Sequence, residues 1–289
     1  MSPRRLASSG IDTDDYSAFD RPRRRSRPRT KNRPDYSDLP IGQVTSIDRG
    51  RYTCRLDDHD LVAMKARSLG RKAVIVGDRV RLDGDTSGAE GSLARIPQVE
   101  RRRTVLRRTA DDTDPHERAI VANADHIVTA LAQPEPRVGM IDRVLVAAYD
   151  AGVDPVLCLT KADLADPDEL MELYGSLDVP VVTTRPGADL DPVRDMLTDR
   201  TTVLVGHSGV GKSTLMNALV PGAGRTTGHV NDATGRGRHT STSAQALELP
   251  GGGWIIDTPG VRSFGLSHVT ADRILAAFGD LEPITCLLY

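Results

Sequence analysis

The run Gly206-His207-Ser208-Gly209-Val210-Gly211-Lys212-Ser213-Thr214 constrains this chain more than any other feature. It follows the apolar, β-branched stretch Thr202–Val205 and opens a stretch with helical apolar spacing, from about Lys212 to Leu219. Strand, glycine-rich turn and helix in that order fit G-x-x-x-x-G-K-[ST], a phosphate-binding loop. The glycines let successive N–H groups turn inward around an anion, and the helix N-terminus adds a favourable dipole. Lys212 would reach the β and γ phosphates of a nucleotide, and Ser213 would offer its hydroxyl to Mg²⁺. A glycine turn before an ordinary helix is the plainer reading, and the strand–turn–helix setting weighs against it.

Two further runs stand at the ends of apolar strands. Thr160-Lys161-Ala162-Asp163 follows Val156–Leu159 and fits [NT]-K-x-D. A carboxylate at Asp163 can accept from guanine N1–H and the exocyclic amine together, a donor pair adenine lacks, while the Lys161 stem packs along the base. Asp257-Thr258-Pro259-Gly260 follows Trp254–Ile256 and fits D-x-x-G. There Asp257 would hold Mg²⁺ and the Gly260 N–H would sense a γ-phosphate. Between the phosphate loop and Asp257 lies Gly235-Arg236-Gly237-Arg238-His239-Thr240, a basic glycine-bearing segment. Thr240 is its candidate third Mg²⁺ ligand, or else a plain loop hydroxyl. In ordinary GTPases the base reader comes last; here it precedes the phosphate loop. A circularly permuted domain builds the same site from this order, and compact domains with neighbouring termini tolerate permutation.

The rest of the chain gives context. Short apolar stretches at Ile41–Ile47, Tyr52–Leu56, Leu61–Lys65, Val74–Val76, Val80–Leu82 and Leu93–Val99 are punctuated by glycines. They predict a small all-β barrel over residues 38–108, an OB-fold by size, with another small barrel or an SH3-like module as alternatives. Strands and helices alternate over residues 109–266, which predicts an α/β domain with a largely parallel sheet. Between Arg21 and Arg33, eight of thirteen residues are Arg or Lys and none is acidic. That density predicts a disordered leader over residues 1–37, read as a nucleic-acid-contacting arm or a solubilising tail. A second basic cluster, Arg101, Arg102, Arg103, Arg107 and Arg108, strengthens the nucleic-acid reading. Three scattered cysteines (Cys54, Cys158, Cys286) cannot make a disulfide framework or a four-thiolate metal site. No apolar run is long enough to span a membrane, and no signal-peptide core opens the chain. A cytoplasmic protein is expected.

Together these motifs resemble the RsgA (YjeQ) family of circularly permuted GTPases. The likeness runs from about Ile41 to Leu266 and includes Val76-Gly77-Asp78-Arg79-Val80, Ala122-Asn123-Ala124-Asp125, Leu164, and Val261 to Leu266 after the D-x-x-G run. It implies a barrel that contacts 16S rRNA and a GTPase centre stimulated by the 30S ribosomal subunit. It also implies GTP as substrate, Mg²⁺ as cofactor, and a monomer. The family normally continues into a zinc domain of three Cys and one His. Here only Cys286 and His268 are at hand before Tyr289, so residues 267–289 read as a truncated segment without zinc. Val261 stands where Ras-like proteins place a water-orienting glutamine. The resemblance makes His239 the candidate for that task, alongside Lys212 and Thr240; a solvated or RNA-contacting role for His239 is the alternative. Two other readings compete with a GTPase, a GTP-binding RNA switch without catalysis and a P-loop ATPase, the latter opposed by Asp163.

Overall fold

The computed structural model describes residues 35–70, 73–109, 116–132, 136–175, 177–223, 244–258, 265–267 and 269–270. Residues 1–34 of the leader, His239, Thr240, Gly260, Val261, His268 and Cys286 lie outside these residues.

The first five strands are β1 (Ile41–Asp48), β2 (Arg51–Leu56), β3 (His59–Lys65), β4 (Arg79–Gly84) and β5 (Ala94–Val99). Their side chains alternate between buried and exposed, as a sheet with one packed face requires. The order β1-β2-β3-β5-β4 closes when β4 pairs with β1, and β3 runs parallel to β5. This is a closed five-stranded barrel of OB type. Val44, Tyr52, Cys54, Leu61, Val80, Leu82 and Ile96 fill it. Val74–Val76, expected as a strand, contributes only a single parallel bridge from Val76 to Val121. Val74 and Val76 are buried, so apolar content alone misread a packed turn as a strand.

A hairpin not anticipated from the sequence follows, β6 (Val105–Arg108) with β7 (Arg118–Ala122). The α/β unit then runs β8 (His126–Ala132), α1 (Val138–Ala151), β9 (Asp154–Thr160), α2 (Asp168–Gly175), β10 (Val181–Thr183), α3 (Asp191–Leu197), β11 (Thr201–Val205), α4 (Lys212–Leu219), β12 (Gln245–Glu248) and β13 (Trp254–Asp257). The sequence reading omitted α3 and β12. β8 and β9 are buried along nearly their whole length, because helices cover both faces of a parallel sheet. On one face α1 and α2 bury Ile141, Val144, Leu145, Leu170 and Tyr174. On the other, α3 and α4 bury Val193, Leu197, Leu215, Met216 and Leu219. α1 ends where Gly152 turns left-handed at φ 65°.

The strand order β10-β9-β8-β11-β13-β12 continues directly into β1 of the barrel. β8 is therefore the neighbour of both β9 and β11, and the permuted chain order still sets the base-reader strand two places from the phosphate-loop strand. Cys54 and Cys158 are buried free thiols, raised by burial to about 12 and about 11, so both stay protonated. Among the described residues no helix is long and apolar enough to cross a membrane.

Candidate functional site

The parallel strands β8, β9, β11 and β13 all point their C-terminal ends to one edge, the edge where open α/β sheets bind ligands. At the end of β11 the chain enters the glycine loop. Gly206, Gly209 and Gly211 take φ values of 148°, 83° and 96°, conformations that side-chain-bearing residues rarely adopt. A Cβ on Gly206 would stand 2.6 Å from the Ala130 carbonyl oxygen, so this turn is built for a bare backbone. Val210 is buried and anchors the loop, while Ser208 and Gly209 are exposed at its tip. His207 Nδ1 lies 2.9 Å from the Ser208 carbonyl.

Lys212 opens α4 and curls back over the loop, its ammonium donating to the carbonyls of Gly206 (2.5 Å) and His207 (2.9 Å). Burial pulls its pKa below the usual lysine value, and the Asp257 carboxylate opposes that shift. Asp257 ends β13 and is buried, in register with Leu204 of β11. The next hydroxyl, Thr258, donates to the Leu204 carbonyl at 3.0 Å and ties the start of the D-x-x-G run to the phosphate-loop strand. Ser213, in the first turn of α4, is half-buried; Thr214 is exposed.

The Thr160-Lys161-Ala162-Asp163 run meets the loop from the other side. The Thr160 hydroxyl lies within hydrogen-bond distance of the Leu131 carbonyl (2.9 Å) and the Val210 carbonyl (2.5 Å), and it can donate to one at a time. Lys161 takes a left-handed φ of 56° and its ammonium donates to the Gly209 carbonyl at 3.2 Å. Left-handed backbone at a non-glycine residue is costly and concentrates at functional sites. Asp163 is exposed beside it. One contributor escaped the sequence reading. The Thr184 carbonyl, just past β10, accepts from the Ala162 N–H at 3.1 Å, and the Thr184 N–H donates to Leu159 at 2.7 Å. The start of the turn Thr184-Arg185-Pro186-Gly187 is thus tied to Ala162, the residue before Asp163. Its signal was a turn directly after the next parallel strand.

Mg²⁺ demands hard oxygen donors. The Ser213 hydroxyl and the buried Asp257 carboxylate are such donors, at one edge of the sheet, and Asp257 is close enough to Lys212 to act on its charge. The donor chemistry and the glycine cradle fit a magnesium–nucleotide pair.

Residues 99–267 match the RsgA GTPase family. The chain belongs to that family. A relative from Pseudomonas aeruginosa, a small ribosomal subunit biogenesis GTPase RsgA, is 40% identical over 221 residues, which are 73% of this chain and 63% of the relative. The protein of the same description from Pseudomonas fluorescens is 39% identical over 225 residues, 74% of this chain and 64% of its own. The chain thus spans less than two thirds of the length of these relatives. Among solved structures, YjeQ from Thermotoga maritima superposes with a TM-score of 0.62 at 27% identity, covering 83% of this chain and 82% of its own. YloQ, described as a circularly permuted GTPase, gives 0.60 at 23% identity, covering 86% and 80%, and supports the fold.

The family markers around the barrel now have physical roles. Asn123, left-handed at φ 57°, donates to the Gly77 carbonyl (2.9 Å) and accepts from the Arg103 N–H (2.8 Å). Asp125 accepts from the Thr201 N–H at 2.8 Å and pairs with Arg103 at 3.0 Å. Asp78, fully buried, pairs with Arg102 at 2.7 Å. The basic cluster is therefore less available than its letters suggested. Arg102, Arg103 and Arg107 have carboxylate partners in Asp78, Asp125 and Glu117. Sequence alone could not see this, because each partner lies 10 to 24 residues away.

Proposed function

We propose that this chain is a GTP hydrolase that acts in late maturation of the 30S ribosomal subunit, in the cytoplasm, with the subunit stimulating turnover. The observation that carries the reading is the meeting of the base-reader loop and the phosphate loop at Thr160 and Val210, with Asp257 beside Lys212. Thr160, Lys161 and Asp163 would select guanine. The loop Gly206 to Thr214, through its backbone N–H groups, would bind the phosphates, and Lys212 would stabilise charge on the transferring phosphoryl group. Ser213 and Asp257, with Thr240 from the segment before β12, would hold Mg²⁺, which would supply electrostatic stabilisation of the phosphate charge. Gly260 would sense the γ-phosphate. Positioning and charge neutralisation account for most of phosphoryl-transfer catalysis, so the residues named do little covalent work.

Val261 cannot hydrogen-bond the attacking water, so intrinsic turnover should be slow, and His239 is the proposed group that orients the water. The names of the relatives support the partner: they are small-subunit biogenesis GTPases. The test is multiple-turnover phosphate release from GTP and from ATP, with and without purified 30S subunits. Slow GTP hydrolysis, accelerated by subunits and abolished in Lys212→Ala, is expected. GTP binding without turnover in either condition would leave a switch without catalysis, and equal use of ATP would remove the base-reading assignment.

A further inference from the structure

β1 serves two sheets. Its first half, Ile41–Gln43, pairs with β4 and closes the barrel, while Ser46 pairs with Gln245 of β12. In its pairing with β2 the strand carries a bulge between Val44 and Ser46. A bulge adds a residue and a local twist, which re-aims the strand. Here it turns the second half of β1 away from β4 and towards β12.

Gln245 is in turn in register with Asp257, and Asp257 with Leu204. One row therefore crosses the whole junction: Thr53, Ser46, Gln245, Asp257, Leu204. The Ser46 hydroxyl donates to Thr53 Oγ1 at 2.9 Å within that row. Under the same seam Ile47, Ala246 and Ile256 share one apolar cluster. At the far end of β12, Arg55 of the barrel pairs with Glu248. Arg55 is held in turn by the Asp58 carbonyl (3.2 Å) and Asp60 (3.4 Å). β12 is only four residues long, and a single residue pair joins it to β1. A short strand so thinly paired on one edge opens easily unless side chains hold it.

We propose that Arg55 is a positioning residue of the nucleotide site: its ion pair with Glu248 pins β12 to the barrel and so fixes, through the Gln245–Asp257 register, the carboxylate that would hold Mg²⁺. The barrel then forms part of the magnesium site's support. This rests on the magnesium–nucleotide reading given above.

The experiment titrates Mg²⁺ against binding of a fluorescent, non-hydrolysable GTP analogue to the full chain, with a parallel measurement in EDTA. Arg55→Glu should raise the Mg²⁺ concentration for half-maximal tightening roughly three- to tenfold, the scale of losing one partly exposed ion pair and adding repulsion. Affinity in EDTA should hold. Arg55→Gln should move the same way by less, which keeps the test valid if the reversal fails to fold. Combining Arg55→Glu with Glu248→Arg should restore the wild-type requirement. An unchanged Mg²⁺ requirement in both single variants overturns the proposal. So does an equal loss with and without Mg²⁺, or a reversed pair that does not recover. If the wild-type chain shows no Mg²⁺-dependent binding, the nucleotide reading itself fails, and that is visible before any variant is made.

Discussion

Asp163 stands exposed at the end of a loop whose other members are all tied down: Lys161 to Gly209, Ala162 to Thr184, and Leu164 to the Lys161 carbonyl at 3.0 Å. Such fixation of its neighbours leaves the exposed carboxylate as the group we propose to meet a base. In that proposal two charge-assisted hydrogen bonds to guanine, each contributing about 1.5–3 kcal/mol, would make its replacement costly. Asp163→Asn should weaken GTP binding by roughly 10²-fold or more, since two such bonds correspond to at least about 3 kcal/mol. The same change should improve binding of xanthosine triphosphate, which offers an acceptor where guanine offers a donor. Competition binding with the three triphosphates checks this. A wild-type protein that binds ATP and GTP within a few-fold of each other would remove Asp163 from the base site.

At the scale of elements, β8 and β11 are the central parallel pair, and the start of their ladder holds two unpartnered polar atoms. His126 is in register with Thr202, and neither His126 Nδ1 nor Thr202 Oγ1 finds a hydrogen-bond partner among the described residues. Burial lowers the His126 pKa; nearby Asp154 and Asp125 oppose that shift, and Arg200 adds to it. The unfolded chain therefore binds this proton at higher pH than the folded one. Stability is fully present above the unfolded value of about 6.5 and falls as pH drops through it, until the lower folded value is reached. The slope for one proton is at most about 1.4 kcal/mol per pH unit. Urea melts between pH 7.5 and 5.5 should show this loss, and His126→Gln should flatten it. A pH dependence identical in the variant would assign the slope to other groups.

For the whole molecule, the question is what makes barrel and GTPase sheet one body. Gly77 sits where the barrel closely approaches β7. Its φ is 87°, and a Cβ there would stand 2.1 Å from the Ala122 carbonyl oxygen. Around it, the Ala122 N–H donates to Val76 at 3.0 Å, the Gly77 N–H donates to Val44 at 2.9 Å, and Asn123 reaches the Gly77 carbonyl. Gly77→Ala combines left-handed strain with a backbone collision, so a loss of at least about 2 kcal/mol is expected. Urea denaturation followed at Trp254 measures it. A change under about 0.5 kcal/mol would mean that the junction yields without cost.

The amino-acid order established the phosphate loop, the Thr160–Asp163 run and the run from Asp257, because each is contiguous and its chemistry follows from its own letters, and their succession along the chain gave the permutation. It also determined the barrel and most of the parallel strands, whose apolar patterns report burial directly. It misread Val74–Val76 and overlooked β6, β7, α3 and β12, short elements whose existence depends on the partner they pair with or pack against. The folded chain alone shows that Thr184 holds Ala162, next to Asp163, that Arg102 and Arg103 are engaged at the junction, and that Arg55 meets Glu248. Those pairings join residues as far as 193 positions apart. No local period encodes such a contact; it exists because a bulge in β1 and the closing of two sheets bring its halves together.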